Sequence, residues 1–147
     1  MKHFEREKAM LKYEQSPAYL LTKLQNEIHS SNLEAGWWTD LATGTDLAEE
    51  ARSNSRLGKA LVAEKLCLIH SEVSEATEGA RKNLQDDKLP HRKMIEVELA
   101  DAIIRIFDLA GALHLDIGGA IEEKRAFNLS REDHQIANRL KQNGKAY

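Results

Sequence analysis

Hydrophobic and polar positions alternate along this chain with the period of a helix. Leu20, Leu21, Leu24 and Ile28 follow Ser16-Pro17, a capping residue with proline at the first helical position, and predict a helix over 17–33. Gly36-Trp37-Trp38-Thr39-Asp40 and Thr43-Gly44-Thr45-Asp46 supply turn chemistry, with a short helical turn expected from Asp46 to Ala51. A long helix is expected over 56–83, with Val62, Leu66, Ile69, Val73, Ala76 and Ala80 as its core stripe. Pro90 lies in a polar connection to a third helix over 92–114, apolar almost all round and therefore expected to be central. Asp116 caps a fourth helix reaching about Phe127, and a short helix is expected over 131–140.

No alternating β-branched runs occur, and Ala, Leu, Glu and Lys dominate, so the fold class is all-α, a bundle of four to five helices. Domain organisation reads as a charged arm over 1–16, one helical domain over 17–140 and a loose tail over 141–147. The arm suits either a frayed helix or a segment packing on a partner.

The polar exceptions on these helices change the picture. Glu72 and Glu75 continue the line of Leu61 and Leu68, which turns from apolar to acidic part-way along its helix. Glu98, Asp101, Arg105 and Asp108, spaced 3, 4, 3, form the polar stripe of the apolar third helix. Acids three apart share a helix face. Two such pairs on facing helices make an oxygen-rich pocket for a hard cation such as Mg²⁺, with Glu78 as a further candidate ligand. Solvated faces and ion-pair ladders, including an Asp101–Arg105 pair at i, i+4, are the other readings.

The adjacent Trp37 and Trp38 suit either a plug for the bundle end or a platform for a planar base. Net charge of −3 argues against a general nucleic-acid binder. No apolar run is long enough to span a membrane, and the first residues lack a signal-peptide core, so a cytoplasmic location is expected. The single cysteine, Cys67, reads as a packing residue. None of the six histidines stands three residues after a glutamate, which counts against a di-iron bundle; His29, His70 and His114 read as packing or polar-face residues.

Glu72-x-x-Glu75, a spacer of 22 residues and Glu98-x-x-Asp101 resemble the signature of the MazG-like all-α nucleoside triphosphate pyrophosphohydrolases, relatives of the dimeric dUTPases. Leu68 to Ala76, Glu98 to Ile104, Asp108-Leu-Ala and Lys124-x-x-x-Asn128-x-x-Arg131 follow in that family's order, over residues 17–131.

The resemblance implies Mg²⁺, or Mn²⁺ in its place, on Glu72, Glu75, Glu98 and Asp101. It also implies triphosphate contacts from Lys124, Asn128 and Arg131, and assembly as a homodimer or homotetramer. Hydrolysis of a nucleoside triphosphate to monophosphate and pyrophosphate would follow, with one of the glutamates, Glu75 ahead of Glu72, orienting or deprotonating the attacking water. The base would lie against Trp37 or Trp38, bordered by Asn26. Substrate choice stays open between dGTP or another purine deoxynucleotide and a broad house-cleaning range. A non-catalytic helical assembly module is the reading from another class.

Overall fold

The computed structural model describes Glu14 and residues 16–145; the readings made for the rest of the arm and for the last two residues lie outside this range. The fold is all-α, and no strand forms among the described residues. Helices α1 (Pro17–Glu34), α2 (Leu47–Arg52), α3 (Arg56–Lys82), α4 (Met94–Ala112) and α5 (Ile117–Ser130) are followed by a 3₁₀ turn (Glu132–His134) and a short α6 (Ile136–Arg139). The single helix expected over 131–140 is thus two short pieces.

Helix starts are set by side chains that satisfy otherwise unpaired amides. Ser16 Oγ accepts from Tyr19 N, Asp46 from Ala48 N and Glu49 N, Ser55 Oγ from Gly58 N, and Asp116 from Gly119 N. Asn83 ends α3 in the left-handed region at φ 53°, a conformation asparagine tolerates. Arg52 donates to the Ala112 carbonyl at 2.6 Å and so covers the C-terminal end of α4.

The chain divides into two compact units: Lys23–Leu115, and the start of α1 up to Thr22 together with the chain from Asp116 on. In the larger unit α3 and α4 run antiparallel, with Gly79 beside Met94 and Glu72 beside Arg105. A Cβ at Gly79 would lie 2.9 Å from the Met94 side chain, so glycine there lets the two helices approach. Gly111 has the same part against α1, where a Cβ would meet that of His29 at 2.5 Å. The core gathers Trp38, Ala48, Ala51, Leu109 and Ala112, with Leu61, Val62 and Ile69 of α3 packed on it.

The expected core stripe of α3 is only partly buried. Ala76 is buried, but Leu66 and Val73 are each 47% exposed, and the buried line instead runs through Gly58, Glu72, Ala76 and Gly79. On α4, likewise, Leu99 and Ile103 are about half exposed, so this helix is not enclosed on all sides. The exposed side chains leave one face of the α3–α4 pair uncovered by the described residues of the larger unit. In the smaller unit, Leu129, Ile136 and Leu140 are exposed, and residues 141–145 turn back, with Gly144 N donating to Lys141 O and Arg139 Nε to Lys145 O.

Candidate metal centre and adjoining cavity

Antiparallel packing of α3 on α4 brings Glu72, Glu98 and Asp101 together, each offering a carboxylate oxygen within 4.8 Å of the others. Glu72 and Glu98 are buried and Asp101 is half-buried. Glu75 is exposed and lies outside this group of three, although its charge reaches Glu98. Glu78 turns away to Lys82 and Arg81.

The cluster already holds one cation. Arg105 Nε donates to Glu72 Oε1 at 2.7 Å, across the helix pair, in place of the expected partner Asp101 on its own helix. Burial is the main reason that the Glu98 carboxyl is pushed up to about 7, and a hydrogen bond with Glu72 and the charges of Glu75, Glu72 and Asp101 act in the same direction.

That shift has a consequence for stability. Between the ordinary glutamate value of 4.5 and about 7 the folded protein retains a proton that the unfolded chain has released. Glu98 therefore makes the fold more stable toward acid and less stable as pH rises through this window. We expect the urea midpoint, measured with chelator present, to fall from pH 5 to pH 7.5, and this component to vanish in Glu98→Gln. A midpoint with the same pH slope in both proteins would contradict the shift.

Beside the cluster lies a cavity of about 530 Å³, with Asp101 and Arg105 on its wall. Its apolar lining comes from Trp37, Leu47, Leu61, Leu68 and Ile104, and its polar groups also include Asn32, Glu64, Lys65 and Asp108. The two tryptophans face different ways. Trp37 is 67% exposed and lines the cavity, whereas Trp38 is 1% exposed and belongs to the core. Trp38 Nε1 donates to Asp108 Oδ1 at 2.8 Å, His29 Nδ1 meets the same oxygen at 2.8 Å, and Lys65 Nζ sits 4.4 Å from the Trp38 ring centroid. Of the two readings for the pair, the plug describes Trp38, whose ring has no face open to a base.

Asn26 is exposed on α1 and does not line this cavity; Asn32, further along the helix, does. Lys124, Asn128 and Arg131 belong to the smaller unit. There Lys124 Nζ lies 4.8 Å from the Phe127 ring centroid, and Asn128 Oδ1 is buried without a hydrogen-bond partner. Arg131 binds Asp133 through Nε and a terminal nitrogen at 2.9 and 2.6 Å, which holds the Asp133 carboxyl below its usual range.

The sequence showed Arg105 and Asp108 on the α4 polar stripe, Arg105 with a candidate local partner in Asp101 and Asp108 in a stretch resembling the family, but not the Glu72, Trp38 and His29 partners they take. Asn32 and Lys65 carried no signal, since an amide or a lysine on an amphipathic helix is ordinary. Cys67, expected to pack, is exposed, and His29, read as a packing or polar-face residue, is tied to Asp108.

Comparisons of the chain with protein families, with curated proteins and with solved structures each return no match. Functional reading therefore rests on the residues themselves. Among the described residues no helix is long and apolar enough to cross a membrane.

Proposed function

We propose that the protein is a metal-dependent nucleoside triphosphate pyrophosphohydrolase that releases a monophosphate and pyrophosphate. The observation that carries this reading is the convergence of Glu72, Glu98 and Asp101 beside a cavity able to take a nucleoside. Hard carboxylate oxygens at this spacing fit Mg²⁺ or Mn²⁺, and the Glu98 carboxyl is pushed up by burial first and by its acidic neighbours after it.

Glu72, Glu98 and Asp101 would hold the ion, with Glu75 as a fourth ligand from the exposed side, and the ion would neutralise phosphate charge as a Lewis acid. Glu75, which is open to solvent, would take the proton of the attacking water at a carboxylate oxygen. Trp37 offers the base an exposed ring on the cavity wall, with Asn32 and Lys65 as polar neighbours. The family resemblance alone gives triphosphate contacts to Lys124, Asn128 and Arg131 of the smaller unit, where Arg131 is paired with Asp133. Purine deoxynucleotides, dGTP among them, are the first substrates to try, ahead of a broad house-cleaning range.

The test is direct. Purified protein is incubated with Mg²⁺ and each common NTP and dNTP, and monophosphate, diphosphate, pyrophosphate and phosphate are resolved, with Glu75→Gln as control. Monophosphate with pyrophosphate, lost in the control, supports the reading. No turnover of any nucleotide by folded protein would end it.

A second reading is favoured by the Arg105–Glu72 pair, which satisfies part of the acidic stripe from within. In that case the chain is a helical assembly module and the acids are structural. Thermal stabilisation by millimolar Mg²⁺ separates the two, because only a binding site gains stability by mass action.

Either reading includes self-association. Val73 and Leu99 each follow a buried glutamate by one residue, so their apolar lines are rotated about 100° the same way and lie on one side of the antiparallel pair. Leu66 and Val73 of α3 with Leu99, Ile103 and Ile106 of α4 form this uncovered face, of the kind that marks an interface. We expect light scattering to give a dimer or tetramer for the natural protein and a smaller species for Ile103→Glu. A monomeric natural protein at micromolar concentration would contradict this.

A further inference from the structure

Taking the acid cluster as the metal centre proposed above, on which this step rests, we infer that Arg105 is its resident counter-ion. The guanidinium holds Glu72 until a divalent cation binds, then leaves it and becomes a free cation on the cavity wall.

The ion pair has an asymmetry suited to this exchange. Glu72 has a side chain only 7% exposed, fixed among Glu98 and Asp101, whereas the Arg105 side chain is 42% exposed. The carboxylate cannot move off without disturbing the helix interface; the arginine can swing out on its flexible stem. Guanidinium is charged at every accessible pH, so nothing but movement removes it. A second cation brought to a carboxylate already engaged at 2.7 Å is repelled, and the engaged oxygen is a poorer ligand.

Arg105 also lines the cavity beside Asp101, so the group released by metal loading is already where an anionic ligand would enter. Planar, forked donors match phosphate oxygens. Cation loading and anion binding would then be coupled through one side chain, and the coupling is reciprocal. In the absence of metal the same residue limits the repulsion among the three acids.

Isothermal titration of the full chain with Mn²⁺ at fixed pH and ionic strength tests the first half, comparing natural protein, Arg105→Gln and Arg105→Lys, with helicity checked by circular dichroism. Arg105→Gln should bind Mn²⁺ about tenfold more tightly, and Arg105→Lys should fall between. A merely structural arginine would give the opposite sign, or none. Equal or weaker Mn²⁺ binding by a folded Arg105→Gln overturns the inference and leaves the metal centre standing. If the natural protein and both variants bind no Mn²⁺, the metal centre itself is wrong and the inference falls with it. Should Arg105→Gln not fold, unchanged affinity in Arg105→Lys overturns the inference and tighter binding supports it.

Inorganic pyrophosphate, titrated at saturating Mn²⁺, tests the second half. Binding about tenfold weaker in Arg105→Gln than in the natural protein is expected, and equal binding overturns the role on the cavity wall.

Discussion

Asp108→Ala lowers the unfolding free energy by about 3–5 kcal/mol. Asp108 is 6% exposed, and its Oδ1 accepts from Trp38 Nε1 and from His29 Nδ1, both at 2.8 Å. A carboxylate that only accepts fixes the proton of His29 on Nδ1. Alanine leaves an indole N–H and an imidazole N–H without their acceptor, each costing about 1–3 kcal/mol, beside the space once filled by the carboxylate. Such a loss is a large share of the roughly 5–15 kcal/mol that holds a typical domain together. Asp108→Asn keeps one acceptor oxygen and should lose less than half as much. Urea unfolding followed by circular dichroism measures both. An Asp108→Ala protein within about 1 kcal/mol of the natural one would mean that these three side chains do not form a cooperative unit.

Glu98→Gln is expected to move stability and turnover in opposite directions. Removing an ionised carboxyl from a buried, crowded position should stabilise the metal-free fold at pH 8 by on the order of 2 kcal/mol, while a neutral amide is a poor ligand for Mg²⁺. Pyrophosphate release, if the proposed reaction is correct, should fall by roughly 10²–10³-fold. A gain in stability with a loss of activity is the mark of a site held under electrostatic strain for its function. Loss of both would instead make Glu98 a structural residue whose bonds support the helix pair. Thermal melts in chelator and a pyrophosphate assay on the same preparation distinguish these results.

Most helix boundaries could be read from the chain because capping is local. Ser16, Asp46, Ser55 and Asp116 each bond amides two or three residues ahead, so the sequence carries both partners within one turn. Facing was harder. The 4, 3, 4, 3 spacing through Leu66 and Val73 is a genuine apolar line, but periodicity does not say which of two apolar lines on a helix a single chain has elements to cover.

The acidic pairs were legible because residues three apart must share a face. Which carboxylates converge depends on a cross-helix register that only packing fixes, and it joined Glu72 to Glu98 and Asp101 while leaving Glu75 at the edge. Partners far apart in sequence left no trace: Trp38 meets Asp108 across 70 positions, and Arg105 chose Glu72 over the local Asp101.

The contrast between Trp37 and Trp38 equips the molecule with its own spectroscopic probes. With two tryptophans in the sequence, Trp37 at 67% exposure and Trp38 at 1% should emit as separable populations, the first red-shifted and open to acrylamide quenching, the second blue-shifted and shielded. A ligand in the cavity would shield Trp37 and leave Trp38 unchanged, whereas unfolding would shift the emission of Trp38. In Trp37→Phe the remaining signal reports folding alone, and in Trp38→Phe, at some cost in stability, it reports occupancy alone. Binding and stability could then be followed in one cuvette without a label.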